Sequence, residues 1–147
     1  MVNDIEDFSV RRLESDRPQS DLLWREDSVG LRVDGVSLER QWRVAPGYLL
    51  FLTEDSPFEE GLHIYLLDDD KRVVDALELS GPYASAILKD AVAEGDATVS
   101  FSFFGDDRWR LDVHATPQRS LRVPMFSPVK RKPGLKGKPV LSLHRVR

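Results

Sequence analysis

"LHIYLLDDDKRVVDAL", residues 62–77, reads as two strands joined by an acidic turn, and its pattern sets the fold class. A three-residue loop Asp69-Asp70-Lys71 would align Leu62, Ile64 and Leu66 with Val74 and Ala76, with Asp68 facing Arg72. His63, Tyr65 and Leu67 would meet Val73, Asp75 and Leu77 on the opposite face. Apolar residues on both faces mark a strand covered on both sides, hence a central one.

Outward from this hairpin the same test applies to three more segments. In "LRVDGVSL" the Asp34-Gly35 pair is a favoured two-residue hairpin turn that would gather Leu31, Val33, Val36 and Leu38. In "QWRVAPGYLLF", Pro46-Gly47 suits the centre of a type II turn and brings Trp42, Val44, Leu49 and Phe51 to one side. In "TVSFSFFGDDRWRLDVH" a loop Gly105-Asp106-Asp107 sets Val99, Phe101 and Phe103 against Trp109, Leu111 and Val113. Thr98, Ser100, Ser102, Arg110, Asp112 and His114 are left on a wet face.

Between the last two hairpins the period changes. Ala84, Ile87, Leu88, Ala91 and Val92 follow helical spacing and Gly95 can stop a helix, so one short α-helix is expected near 83–94, with a strand over 89–94 as the alternative. Residues 1–20 fit a helix, a loop or an edge strand. Residues 140–147 have strand propensity and would return to the sheet edge after a basic loop over 124–139. The expected fold is mainly β: a single domain over 1–147, an antiparallel meander of consecutive hairpins forming a sandwich or half-open barrel.

Composition narrows the function classes. The 147 residues carry 41% apolar content, enough for one ordinary core, and no cysteine, which excludes disulfides and cysteine-ligated metals. The amino terminus has no signal-like basic and apolar regions, and the apolar runs are far shorter than a membrane span, so a soluble, cytoplasmic protein with no membrane partner is expected. Charge is the more informative quantity. Residues 1–112 hold all 25 acids and 12 bases, whereas residues 113–147 hold nine bases and no acid. Five of those bases fall in the stretch 130–138 of "SPVKRKPGLKGKP", residues 127–139.

That basic stretch has no aromatic residues on which nucleobases could stack, and its anionic body repels phosphate, so nucleic acid is a disfavoured partner. Self-neutralisation, the segment lying on or near the acidic turns, is the expected role, with a partner-binding arm second. No catalytic motif is present. His63, His114 and His144 stand outside any spaced metal or protease pattern, no calcium-loop spacing accompanies the acidic turns, and neither cofactor nor metal site is read. His63 reads as a hydrogen-bonded core histidine, and His114 as a solvated strand end with Asp112 nearby.

The loop "TEDSPFEEG" surrounds Phe58 with acids, the composition of a contact site for a cationic partner unless Phe58 folds back as a plug on the sheet edge. The expected function is therefore a non-catalytic, acidic protein-binding module of inhibitor or immunity type. Its candidate contacts are Glu54, Asp55, Phe58, Glu59, Glu60, Asp68, Asp69, Asp70, Asp106 and Asp107, and a homodimer is compatible with the pattern. The alternatives are a small β-barrel enzyme or small-molecule binder using His63 or His114, and a nucleic-acid-associated protein using residues 130–138.

Overall fold

The computed structural model describes residues 2–45, 47–55, 61–81, 86–116, 128–133, 135 and 139–146. These form thirteen strands in three antiparallel sheets. The main sheet contains β1 (Asn3–Asp4), β5 (Ser37–Val44), β6 (Gly47–Thr53), β7 (Gly61–Leu67), β8 (Val73–Ser80) and β12 (Val129–Arg131), in the order β1-β5-β6-β7-β8-β12. A second sheet has the order β13 (Leu141–Val146), β11 (Arg108–Val113), β10 (Thr98–Ser102), β9 (Lys89–Glu94). The third is β2 (Phe8–Arg12), β3 (Gln19–Trp24), β4 (Asp27–Asp34).

Both faces of the main sheet are covered. Trp42, Phe51, Ile64 and Leu77 pack with Phe101, Trp109 and Leu111 of the second sheet, and the Phe51 and Phe101 rings meet edge to face at 5.2 Å. Leu50, Leu52, Tyr65 and Ala76 pack on the other side with Phe8, Leu22 and Val33 of the third sheet. Two separate cores explain why β7 is buried along its whole length. The described residues form no closed barrel.

Two hairpin expectations keep their faces and change their registers. Trp42 pairs with Leu49 and Val44 with Gly47, two residues away from a turn centred on Pro46-Gly47; Pro46 itself lies outside the described residues. A two-residue shift preserves the period-2 alternation, so Trp42, Val44, Leu49 and Phe51 still share one core. A Cβ on Gly47 would run into the Leu67 carbonyl, which fixes glycine there. The same two-residue shift occurs where Phe101 pairs with Trp109 and Val99 with Leu111. The serine face of β10 is not wet, however: β9 covers that edge, and Ser100 and Ser102 are buried, with Ser100 Oγ donating to Glu94 Oε2 at 2.8 Å.

In the β7–β8 hairpin the turn closes as expected, with the Asp68 N–H donating to the Arg72 carbonyl at 2.9 Å. A β-bulge then shifts the ladder, so that Leu67 pairs with Val73 but Leu66 with Asp75 and Tyr65 with Ala76. The extra residue sends Ala76 to the Tyr65 face and Asp75 to the face of Leu77 and Leu79, opposite to the uninterrupted register.

Two expectations are corrected. Asp34-Gly35 is not a hairpin turn, because β4 pairs with β3 while β5 pairs with β1 and β6. The chain changes sheets there. Gly35 has φ +104, and a Cβ on it would sit 2.8 Å from Leu52 Cβ, so the crossing needs glycine for close approach as well as for its dihedral. Leu31, Val33 and Leu38 do meet in one core, through this change of sheet rather than across a ladder. The helix expected near 83–94 is also absent: residues 82–85 lie outside the described set, and Lys89–Glu94 is strand β9. The apparent helical stripe is not used as one, since Ile87 is 74% exposed and Val92 49%. The outer edge of β10 requires backbone partners, and β9 supplies them. Among the described residues no helix is long and apolar enough to cross a membrane.

Candidate functional site

The site begins with strand alternation in the basic segment. Short β12 pairs with β8, Lys130 opposite Glu78 and Arg131 opposite Leu77, and the Lys132 N–H donates to the Ala76 carbonyl at 3.0 Å. Period 2 therefore sends Arg131 to one face of the main sheet, and Lys130 and Lys132 to the other.

Arg131 meets Asp75, the residue that the β8 bulge moved to that face. Its Nη1 donates to both Asp75 oxygens at 3.1 and 3.0 Å, and its Nη2 donates to the Leu141 carbonyl at 3.0 Å. Asp75 is 1% exposed and also accepts from the Val140 and Leu141 backbone N–H groups at 3.0 and 2.9 Å. A carboxylate this deep would be costly without such a set of donors.

On the opposite face Lys132 Nζ lies 2.7 Å from Asp34 Oδ2 and 2.8 Å from His63 Nδ1, and His63 Nε2 lies 3.0 Å from Glu54 Oε2. An ammonium has only donors, so His63 Nδ1 accepts and the ring proton sits on Nε2, donated to Glu54. Glu54 can reach the ring because residue 61 is glycine; a Cβ there would collide with Glu54 Oε2. Asp34 also accepts from Gln19 Nε2 at 3.0 Å, and its backbone N–H donates to Tyr65 Oη at 2.8 Å. Burial pushes the Asp34 carboxyl up, but the hydrogen bonds from Lys132 and Gln19 and the Lys132 charge outweigh it and hold it down at about 2. Burial raises Tyr65 well above the usual phenol range.

Glu54, His63 and Glu78 form a metal-like group with ligand atoms within 4.8 Å of one another. The fit to one ion is poor. Glu54 faces Nε2, whereas Glu78 Oε1 lies 3.6 Å from Nδ1, so the carboxylates serve opposite ring nitrogens. Lys132 already places a cation at Nδ1.

Around this cluster opens a groove of about 460 Å³, walled by Arg17, Arg32, Lys130 and Lys132 and floored by Tyr65 and Ala76. A smaller cavity of about 110 Å³ adjoins it at Asp34 and Glu78 and reaches Glu54 and His63.

The expected site residues fall in different places. Glu54 belongs to the His63 cluster, and Asp55 is exposed beside it. Phe58, Glu59 and Glu60 lie outside the described residues. Asp68 holds its own turn through the Asp70 and Arg72 N–H groups, Asp69 pairs with Arg43, and Asp70 is exposed. Asp107 accepts from the Phe103 and Phe104 N–H groups and from Trp109 Nε1, while Asp106 reaches out to Lys89 at 3.2 Å. Asp55 and Asp106 lie toward the same end of the main sheet, since Phe104 of the β10–β11 turn packs on Gly81 beyond the Gly61–Ser80 pair. Asp68–Asp70 sit at the other end, separated by the seven residues of β7, about 20 Å. The histidines are also dispersed: His114 Nε2 contacts Ser142 Oγ at 2.9 Å in the second sheet, and His144 is exposed on β13.

Asp34, Glu78 and Asp75 were not singled out as site residues from sequence, and Arg131 and Lys132 only as members of the basic stretch 130–138. One signal was legible. An aspartate inside a strand apolar on both faces calls for a buried cation, and the acid-free segment after Asp112 is the natural donor. No protein-family model, curated protein or solved structure matches the chain.

Proposed function

We propose that the protein acts by binding another macromolecule, as an acidic, non-catalytic module of inhibitor or immunity type directed at a cationic partner. The observation that supports this reading is where the basic segment spends its charge. Arg131 and Lys132 pair with the inward carboxylates Asp75 and Asp34, so neither neutralises the turn acids Asp55, Asp70 and Asp106, which face solvent. The body therefore keeps an anionic rim to steer a cationic surface. The contact is centred on the end of the main sheet that carries Asp55 and Asp106, to which the same loop adds Phe58, Glu59 and Glu60 in sequence. Catalysis by His63 is disfavoured because both its ring nitrogens are engaged within the cluster.

Co-purification from the native host, with mass spectrometry and binding kinetics, tests the reading. A stoichiometric protein partner is expected. Charge reversal at Glu59 and Glu60 together with Asp106→Asn should slow association and flatten its salt dependence, and Phe58→Ala should raise the dissociation rate. Kinetics identical to wild type in all variants, or the absence of any protein partner, would contradict it.

A further inference from the structure

The groove beside Lys132 has the opposite polarity to the rest of the molecule. Five bases line it, Arg17, Arg32, Lys130, Arg131 and Lys132, against two acids, Asp34 and Glu78, on a chain whose net charge is −4. Two of the bases are already committed, Arg131 to Asp75 and Lys132 to Asp34 and His63. Arg17, Arg32 and Lys130 are exposed, and among the described residues none of the three is drawn into an ion pair. They come from three separate parts of the chain: the bend before β3, strand β4 and strand β12. Their convergence on one concavity is thus a product of the fold and not of a local run of bases.

We infer that this groove is a binding site for a small anionic ligand bearing a phosphate or clustered carboxylates. The volume lies in the range that encloses a small molecule. Two guanidinium groups suit the forked geometry of such anions, and Lys130 adds a point charge from strand β12. Low-dielectric walls concentrate this positive field. Val73, Ala76 and Leu135 offer an apolar surface for the rest of the ligand. Beside the groove, the Asp34–Lys132–His63 cluster neutralises Lys132 locally and holds the end of β12, the strand that carries Lys130. The inference is independent of the acidic rim, which lies on different residues.

Isothermal titration at low ionic strength with inorganic pyrophosphate and with citrate tests it, using the full chain and an Arg17→Gln/Arg32→Gln variant. Both replaced side chains are exposed, and an unchanged urea midpoint verifies that the variant folds. At least one probe should bind with a Kd below about 1 mM and weaken at least about tenfold in the variant, as expected for loss of charged hydrogen bonds. Pyrophosphate binding tighter than citrate assigns a phosphate ligand, and the reverse order assigns a carboxylate. Binding of neither probe overturns the inference, as does binding undiminished in the variant. A single-stranded oligonucleotide that binds more tightly than pyrophosphate and is lost in the variant also overturns it, because the groove would then serve a polymer.

Discussion

Among the described residues Asp34 and Asp75 carry the ionic contacts between the body and the basic segment, and they do so in different ways. Asp75 is wholly buried and satisfied by a guanidinium and three backbone amides, those of Ala76, Val140 and Leu141. Asp34 is half-buried and held by one ammonium and one amide. Its carboxyl lies at about 2 in the fold against an ordinary 3.8. A depressed pKa means the folded state binds its proton less readily than the unfolded chain does. The stability from this group is fully present above about pH 4 and is lost as the pH falls toward 2. Urea denaturation from pH 6 to pH 2 should therefore show Asp34→Asn less stable than wild type at neutral pH, with the gap closing below about pH 4. A gap that stays constant over that range would show that the carboxylate is not held by Lys132.

At the scale of elements, what could be read from sequence was parity, and what could not was partnership. Alternation placed Val99, Phe101, Phe103, Trp109, Leu111 and Val113 in one core despite a two-residue error in register, because an even shift leaves every side chain on its face. The β7–β8 bulge is an odd shift. It moved Asp75 to the face where Arg131 arrives, and no turn signal in "DDDKRVVDAL" announces it. Asp34-Gly35 has the chemistry of a hairpin turn, yet the glycine serves a crossing between sheets, a distinction that depends on residues distant in sequence. Strand β9 is decided by the open edge of β10 and not by its own period. Of the candidate site, His63 was recognised as a hydrogen-bonded core residue, but its partner Lys132 is 69 positions away, beyond the reach of local pattern. Phe101 tests the packing between main and second sheets. It is 0% exposed and stacks edge-on against Phe51, so Phe101→Ala should cost about 3–5 kcal/mol in urea denaturation. A loss below about 1 kcal/mol would mean the two sheets are not packed as described.

For the whole molecule, the charge asymmetry of the sequence becomes a layered arrangement. The acid-rich body folds into three sheets, and Val129–Arg131 of the acid-free segment returns along the β8 edge, with Arg131 sent to one face and Lys130 and Lys132 to the other. Arg131 and Lys132 are neutralised at the inward carboxylates Asp75 and Asp34, while Lys136 and Lys138 lie outside the described residues. Anionic turns and a cationic groove therefore coexist on one small protein, the two surfaces proposed for binding. Both depend on the basic segment being part of the fold. A double-mutant cycle over Arg131→Met and Asp75→Asn, followed by urea denaturation at low and high salt, tests that dependence most directly. Arg131→Met leaves the buried Asp75 carboxylate without its cation and should lose about 3–5 kcal/mol, and Asp75→Asn, which leaves a part-exposed guanidinium, should lose less. The double variant should lose clearly less than the sum, giving a coupling of roughly 2–3 kcal/mol that barely changes with salt, because a buried pair is screened little. Additive losses, or a coupling that vanishes in high salt, would contradict the account and return the basic segment to solvent.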